Sequence, residues 1–344
     1  MNTDNVSIKS KTKAIVLLSG GLDSTLAAHL VEKQGLELTA LNFTSPFCMC
    51  NKKGGCSQGV SSVAMKLGIN LVKIDNTKEM LECVRKPKFG YGSNMNPCID
   101  CRIVMLKKAR SYMRGIGASF IITGEVLEQR PMSQRRPILA LIEKEAGLEG
   151  LILRPLSARV LDETIPEKQG LVNRNELLNI SGRGRKEQIE LAKKFSVNDY
   201  PCPAGGCLLT DPNFSRRLKD LMRYTPDFAL NDCLLLKLGR HMRIKPESKL
   251  IIGRNEAENS SLMNLSLDSD LIFMPQESIA GPTALGRGNF SAEDLRLAAS
   301  LVAFYCDRDE NQEIGIILKN KATGEDVEFK IKPADQGLLD KLIL

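Results

Sequence analysis

Residues 14–25 read Ala14-Ile15-Val16-Leu17-Leu18-Ser19-Gly20-Gly21-Leu22-Asp23-Ser24-Thr25, and their order decides the fold. An apolar run with β-branched residues stops at Ser-Gly-Gly, and Leu26, Leu30 and Val31 then recur on one helical face. The sequence therefore predicts a strand, a tight turn and a helix N-terminus in direct succession. Adjacent glycines let the backbone take positive φ and come close to a ligand. The first helical N–H groups lack intrahelical partners and sit at the positive end of the helix dipole, so the turn suits an anion. The Walker lysine and the third glycine of a dinucleotide fingerprint are both missing. An ordinary glycine turn before a core helix is the alternative.

Working outward, apolar strand-like runs alternate with helical patterns. Strands are predicted over 14–18, 38–43, 71–74, 120–123 and 151–153, and helices over 22–33, 59–67, 99–115 and 134–143. This alternation predicts an α/β fold with a doubly wound parallel sheet. In that architecture ligands bind at the carboxyl ends of the strands, where the Ser-Gly-Gly turn lies. A basic helix over 185–195 closes the domain, and Pro201 and Pro203 break the chain. Beyond about Phe214 the pattern changes to strands over 234–238, 249–252 and 270–274, with helices over 255–265 and 291–304. Ser291 is the expected N-cap of the last helix, and a hairpin around 320–325 joins 314–318 to 327–331. The expected organisation is a polar lead-in over 1–12, an α/β domain over 13–212 and a smaller α+β domain over 213–344.

The 344 residues are 42% hydrophobic, enough for two cores, and no apolar stretch is long enough to span a bilayer. The polar N-terminus lacks a signal-peptide core, so a cytoplasmic protein with no membrane partner is expected. The formal net charge of +7 allows a polyanionic partner, and basic residues are densest over 130–136, 183–194 and 216–219. Trp is absent and aromatics make up 5%, which argues against base stacking on an aromatic platform. In a reducing cytoplasm, ten cysteines against two histidines point to metal, cluster or sulfur chemistry rather than structural disulfides, and they argue against histidine-led acid–base or zinc chemistry.

Cys98 and Cys101, in Asn96-Pro97-Cys98-Ile99-Asp100-Cys101-Arg102, stand at the entry to a long helix, which places two sulfurs on one side of its first turn. The helix N-terminus is expected to lower their thiol pKa. A thioredoxin-like redox pair is the competing reading. Cys202 and Cys207, in a Gly- and Pro-rich loop, are candidate further ligands. Three cysteines of such a set could hold a [4Fe–4S] cluster with one iron open, and four could close it or bind structural zinc. Cys48, Cys50 and Cys56 form a separate group after the second strand: a second metal site, a sulfur-accepting loop or a plain cysteine-rich loop. Cys83, Cys233 and Cys306 lie in apolar contexts and read as buried small hydrophobes.

Two further stretches follow the fourth and fifth strands: Thr123-Gly124-Glu125-Val126-Leu127-Glu128-Gln129-Arg130-Pro131-Met132-Ser133-Gln134 and Leu153-Arg154-Pro155-Leu156. Together with Ser19–Thr25 and the cysteine near the third helix, they resemble the PP-loop ATP pyrophosphatases that thiolate tRNA, the 4-thiouridine synthases foremost and the 2-thiouridine synthases more distantly. That family's second motif reads glycine where this chain has Glu128. Its usual N-terminal RNA-binding module is not evident ahead of Ala14, and the C-terminal module is the expected replacement. Ile251–Asn259 and Ala298–Tyr305 are similar to the NFACT-R domain of RNA- and ribosome-associated proteins. This chain departs from it at Ile272-Phe273-Met274 and Gly281-Pro282-Thr283. Arg254 and Asn255 are either a nucleic-acid contact or a cap for the following helix.

The resemblance implies a route and its residues. Ser19, Gly20, Gly21, Leu22, Asp23 and Ser24 would hold the ATP pyrophosphate, with Asp23 near Mg2+ and Gly124, Glu125 and Gln129 as the neighbouring cofactor-binding residues. A uridine oxygen would attack the α-phosphate, and sulfur would then displace AMP. Asp23, Cys98, Cys101 and Cys202 are the implied catalytic residues, and Cys98, Cys101, Cys202 and Cys207 the implied ligands of a [4Fe–4S] cluster or carriers of persulfide. The implied partners are tRNA and a sulfur donor (a cysteine desulfurase or sulfide), and a homodimer is compatible with the chain. Two rivals stand beside this reading: an amide-forming ATP pyrophosphatase, and an RNA- or ribosome-binding protein with a degenerate ATP site.

Overall fold

The computed structural model describes residues 11–49, 55–197, 206–307 and 312–344. The chain divides into two compact units, one ending at Thr210 and one beginning at Asp211.

In the first unit the strands are β1 (Lys13–Leu17), β2 (Glu37–Thr44), β3 (Asn70–Asp75), β4 (Phe120–Ile122) and β5 (Ile152–Leu153). They form one sheet in the order β3-β2-β1-β4-β5, and every pairing is parallel. Strand order reverses at β1, so its carboxyl end opens at the topological switch point where ligands settle in such sheets. The connecting helices are α1 (Leu22–Glu32), α2 (Gly55–Lys66), α3 (Thr77–Arg85), α4 (Cys98–Gly115), α5 (Arg136–Ala146), α6 (Ile165–Lys168) and α7 (Lys186–Lys194).

Both faces of the sheet are covered, which explains why β1 reads as a continuous apolar run rather than an alternating one. Ala14 and Val16 pack with Leu22, Leu26 and Val60 on one side. Ile15 and Leu17 pack with Ile103, Leu106 and Ile142 on the other. Among the expected elements α5 starts at Arg136 rather than Gln134, because Gln134 is buried in the preceding turn. The charged helix α3 has no counterpart in the sequence reading.

The second unit contains α8 (Pro212–Tyr224), α9 (Leu230–Leu235), β6 (Arg240–Lys245), β7 (Ser248–Ile252), α10 (Glu256–Leu265), β8 (Leu271–Pro275), β9 (Ala284–Gly288), α11 (Ala292–Phe304), β10 (Ile314–Asn320), β11 (Glu325–Ile331) and α12 (Gln336–Leu342). Its strands form a separate antiparallel sheet in the order β11-β10-β8-β9-β7-β6. Ser291 caps α11 as expected, accepting from Asp294 N. The strand expected over 234–238 is instead the end of α9 and a turn. Asp232 Oδ2 accepts from Ala229 N at 2.8 Å, which starts the helix, and Leu235 is buried with Leu262 and Leu285. A short apolar run cannot be told from a buried helix by periodicity alone. Among the described residues, no helix is long and apolar enough to cross a membrane.

Candidate active site

The β1–α1 turn is built to leave donors open. Gly20 takes φ of 77°, in the left-handed region that glycine enters without strain. Ser19 N donates to Ser24 Oγ at 3.2 Å, and Ser24 Oγ donates to Gly21 O at 2.9 Å, so the two serines brace the loop from inside. Gly21 is the N-cap and has no side chain to satisfy the first amides. The first intrahelical bond is Thr25 N to Gly21 O at 3.2 Å, which leaves the amides of Leu22, Asp23 and Ser24 ahead of it. From β2, Asn42 Nδ2 donates to Leu18 O at 2.8 Å and fixes the chain where it leaves β1.

The loop after β4 presses directly on this turn. A Cβ at Gly124 would fall 2.4 Å from Ser24 N and 2.6 Å from the Asp23 carbonyl carbon, so only glycine permits the contact. Gln129 Nε2 donates to Asp23 Oδ2 at 3.0 Å, and Arg185 lies 3.8 Å from the same oxygen. Burial raises the Asp23 carboxyl above its ordinary value, against the Gln129 hydrogen bond and the charges of Arg185 and Arg130. Its Oδ1 is buried without a hydrogen-bond partner, so a carboxylate oxygen is free for a cation, as the implied Mg2+ requires. Glu128, at the position where the related motif has glycine, takes φ of 61°. The family glycine thus corresponds to a left-handed backbone that a glutamate occupies here at a cost.

Glu125 is tied into a buried charge network. Its carboxylate lies 3.1 Å from Arg102 Nε and 3.1 Å from Arg154 Nε, and Arg154 NH1 reaches Glu143 Oε1 at 2.5 Å. Burial alone would raise the Glu125 carboxyl, but the two arginines hold it below its usual value. The network joins three of the motifs: Arg102 follows the C-x2-C pair, Glu125 belongs to the loop against Asp23, and Arg154 belongs to Leu153–Leu156. None of these arginines stood out from sequence as a site residue, nor did Arg130 or Arg185. The signal available was position, since each lies inside or at the edge of a motif.

The cysteines converge from separate elements. Cys98 and Cys101 occupy the first turn of α4, whose preceding loop is fastened by Lys88 N and Phe89 N donating to the Asp100 carboxylate at 2.8 and 3.1 Å. Cys207 is brought in by Met95 N donating to Leu209 O at 3.0 Å and Asn94 Nδ2 donating to Thr210 O at 2.8 Å. Cys48 pairs with Cys207 in an antiparallel bridge. Burial pushes Cys101 up to about 12, and the neighbouring Cys207 and Cys98 add to the rise. Burial likewise pushes Cys207 up to about 11, with Cys98 and Cys48 contributing.

Cys98 is also raised, because burial outweighs the nearby Arg130 and Arg102. The lowered thiol pKa expected at this helix N-terminus is therefore not found: desolvation of the thiolate outweighs the nearby charges and the Asn96 hydrogen bond that favour it. Cys83, Cys233 and Cys306 are buried, as expected. Cys50 and Cys202 lie outside the described residues, and Cys56 is in the first turn of α2. Thiolates are the right donors for an iron–sulfur cluster. Among the described residues, however, no three His, Cys, Asp or Glu side chains stand close enough together to hold a metal.

In the second unit, Asn255 Oδ1 accepts from Glu258 N at 3.0 Å and Arg254 Nε donates to Glu258 Oε2 at 2.9 Å. Capping of α10 is thus what the structure shows for this pair. Arg287 is held by Asp270 and Asp232 at 2.6 Å each, and Lys249 by Asp220 at 3.1 Å.

Residues 9–165 match the family model described as "Thiamine biosynthesis protein (ThiI)", and residues 239–343 match "NFACT protein RNA binding domain". A tRNA-specific 2-thiouridylase MnmA from Pediococcus pentosaceus is 24% identical over 245 residues, covering 65% of this chain and 63% of that protein. The chain therefore spans somewhat less than two thirds of that relative. An uncharacterized protein, MJ1638, from Methanocaldococcus jannaschii is 32% identical over 124 residues, covering 36% of this chain and 44% of that protein. Among solved structures, a 4-thiouridine synthetase–RNA complex with bound ATP aligns at 22% identity and a TM-score of 0.36, over 66% of this chain and 52% of that one. The parallel α/β unit of this chain, with its open glycine turn at the switch point, is thus similar to the ThiI PP-loop family over residues 9–165, and the antiparallel unit is similar to the NFACT RNA-binding domain over residues 239–343.

Proposed function

We propose that the chain is an ATP-dependent RNA sulfurtransferase that adenylates a uridine carbonyl oxygen and replaces that oxygen with sulfur. The observation that carries this reading is the turn at Ser19–Ser24. Its helical amides are open, Gly124 packs against it, and Asp23 holds one uncompensated buried oxygen beside it. Preorganised donors aimed at a polyphosphate stabilise the charge that develops on departing pyrophosphate without reorganising in the transition state. The amides of Leu22–Ser24 bind the β- and γ-phosphates, and Asp23 would hold a Mg2+ whose charge would neutralise them. Gln129 keeps the Asp23 carboxylate oriented. The positive charge of Arg130 and Arg185, which already acts on Asp23, extends the same field over the phosphates.

Attack of the uridine oxygen on the α-phosphate releases pyrophosphate and leaves an adenylated base with a good leaving group. Sulfur delivered to that carbon expels AMP. Cys98, Cys101 and Cys207 are the sulfur-handling residues among those described, and Cys202 is a further candidate. Cys98 and Cys101, completed by Cys202 outside the described residues, are the thiols that would hold a [4Fe–4S] cluster, and such a cluster would supply activated sulfur when bound. The remaining steps depend only on the chain's own groups. The NFACT-R_2 unit supplies the RNA affinity, and transfer RNA is the substrate that the relatives' names suggest. A protein of this kind works in the cytoplasm.

The test is ATP–pyrophosphate exchange with bulk tRNA, followed by nucleoside mass spectrometry of the RNA. Exchange that depends on tRNA, together with a new thiouridine, is the expected result. Tight RNA binding without exchange would overturn the enzymatic reading and leave a binding protein.

A further inference from the structure

Cys48 and Cys207 stand opposite each other across a short antiparallel bridge. Its two hydrogen bonds run from Leu208 N to Phe47 O at 2.8 Å and from Met49 N to Gly206 O at 3.2 Å, so they flank the cysteines rather than join them. Such a non-hydrogen-bonded pair has Cα atoms about 4.5 Å apart and both side chains on one face. Disulfides span about 4.4–6.8 Å between Cα atoms, so the backbone already lies within reach of a bond. Both cysteines are free and partly exposed.

The close approach is written into the sequence. A Cβ on Gly206 would lie 2.4 Å from Met49 Sδ and 2.9 Å from Met49 Cβ, so any larger residue there would force the Met49 side chain to shift where the two segments cross. On the far side, the hydrogen bonds to Leu209 O and Thr210 O hold the Cys207 segment against residues 94–95. Hydrogen bonds thus hold the segment on both sides of Cys207, one side of them facing Cys48. The Cys98–Cys101 pair sits differently, on one helical turn, and the Cys101 thiol points to Met105 Sδ at 3.8 Å.

We propose that Cys48 and Cys207 form a reversible dithiol–disulfide site, closed by a small disulfide oxidant and reopened by a dithiol. The Cys48 thiolate attacks one sulfur of glutathione disulfide; that S–S bond breaks, a mixed disulfide forms and one glutathione leaves as thiolate. Cys207 gives its proton to water and attacks the Cys48 sulfur, forming the intramolecular bond and expelling the second glutathione. The pair loses two electrons and two protons, and glutathione disulfide gains them. Closure ties the loop after β2 to the segment leading into α8 and removes Cys207 from sulfur handling. That consequence rests on the sulfurtransferase reading, whereas the disulfide does not.

The experiment uses the full chain, reduced and then equilibrated with graded ratios of oxidised to reduced glutathione. Free thiols are alkylated and peptides are mapped without reduction. A Cys48–Cys207 linked peptide should appear, vanish with dithiothreitol, and form at a lower oxidant ratio than any Cys98–Cys101 link. The proposal is overturned if both thiols stay alkylatable throughout, or if Cys207 links to Cys98, Cys101 or Cys202 instead. Because the unsubstituted chain gives this readout, misfolding of a variant cannot obscure it. In a second arm, inorganic polysulfide should load Cys207 at least tenfold less after oxidation, and Cys48→Ser should abolish that difference. A linked peptide in a chain that never thiolates RNA would overturn the sulfurtransferase reading alone. Thiolation without a linked peptide would overturn the disulfide alone.

Discussion

Replacing Glu125 with Gln tests whether the buried network holds the loop after β4 and the cysteine-bearing helix α4 together. Glu125 is 2% exposed and faces Arg102 and Arg154, whose side chains are 23% and 5% exposed. Removing one partner of a buried ion pair costs about 3–5 kcal/mol, because it strands the other charge. Here the stranding is incomplete: Arg154 keeps Glu143, Arg102 reaches solvent, and Gln still offers an acceptor oxygen. About 2–3 kcal/mol is therefore expected, or a fall in Tm of about 5–10 °C for a unit of this size.

The pH dependence adds a sign. The folded carboxyl is held below its unfolded value, so its stabilisation is fully present above the unfolded pKa and is lost as pH falls through the folded one. Glu125→Gln should flatten that acid limb. Amide exchange of the β1 and β4 peptides, followed by mass spectrometry from pH 3 to 7, reads the first unit separately from the second. A loss below about 1 kcal/mol, the level of an exposed pair, or an unchanged acid limb would refute the network as a structural hub.

Three further outcomes follow from the β1–α1 turn and the loop after β4 that packs on it. Asp23→Asn should abolish ATP–pyrophosphate exchange yet raise the Tm of the first unit at neutral pH. Burial raises the Asp23 carboxyl, so its ionised form destabilises the fold above that pKa; calorimetry at pH 7 checks it. Glu128→Gly should stabilise by about 0.5–1 kcal/mol, the relief of a left-handed non-glycine residue less the extra chain entropy of glycine, measured by urea denaturation. Gly124→Ala should weaken ATP binding at least tenfold in equilibrium dialysis, because its Cβ would displace the Asp23–Ser24 backbone.

The first unit was readable because its information is local. A β-branched run, a glycine turn and an apolar stripe specify β1, the turn and α1 within twenty residues, and burial on both sheet faces makes the remaining parallel strands visible as apolar runs. Strand β6 was not readable. Arg240-His241-Met242-Arg243-Ile244-Lys245 presents charges at positions that the fold buries or pairs: His241 is 0% exposed and Arg243 is bound to Asp220. Only tertiary partners from α8 make those residues acceptable in a sheet, and no local pattern reports them. Strand β9, Ala284-Leu285-Gly286-Arg287-Gly288, was hidden for a related reason. Gly286 leaves room for Phe273 and Phe290, and Arg287 is neutralised by Asp270 and Asp232.

The same division runs through the candidate site. Ser19–Ser24 and Cys98–Cys101 were legible because each is one contiguous segment at a helix N-terminus. The Glu125 network and the Cys48–Cys207 pair join residues far apart in the chain, and spacing holds no record of such meetings. Sequence shows that Cys48 is a cysteine in a loop; the hydrogen bonds of Phe47 and Met49 to residues 206 and 208 decide which thiol it faces. The two halves of the proposed chemistry therefore differ in origin. The proposed phosphate site is a property of one turn, whereas the proposed sulfur site requires β2, α4 and the segment before α8 to be brought together. A substitution that loosens the packing between those elements should then impair sulfur transfer before it impairs ATP cleavage.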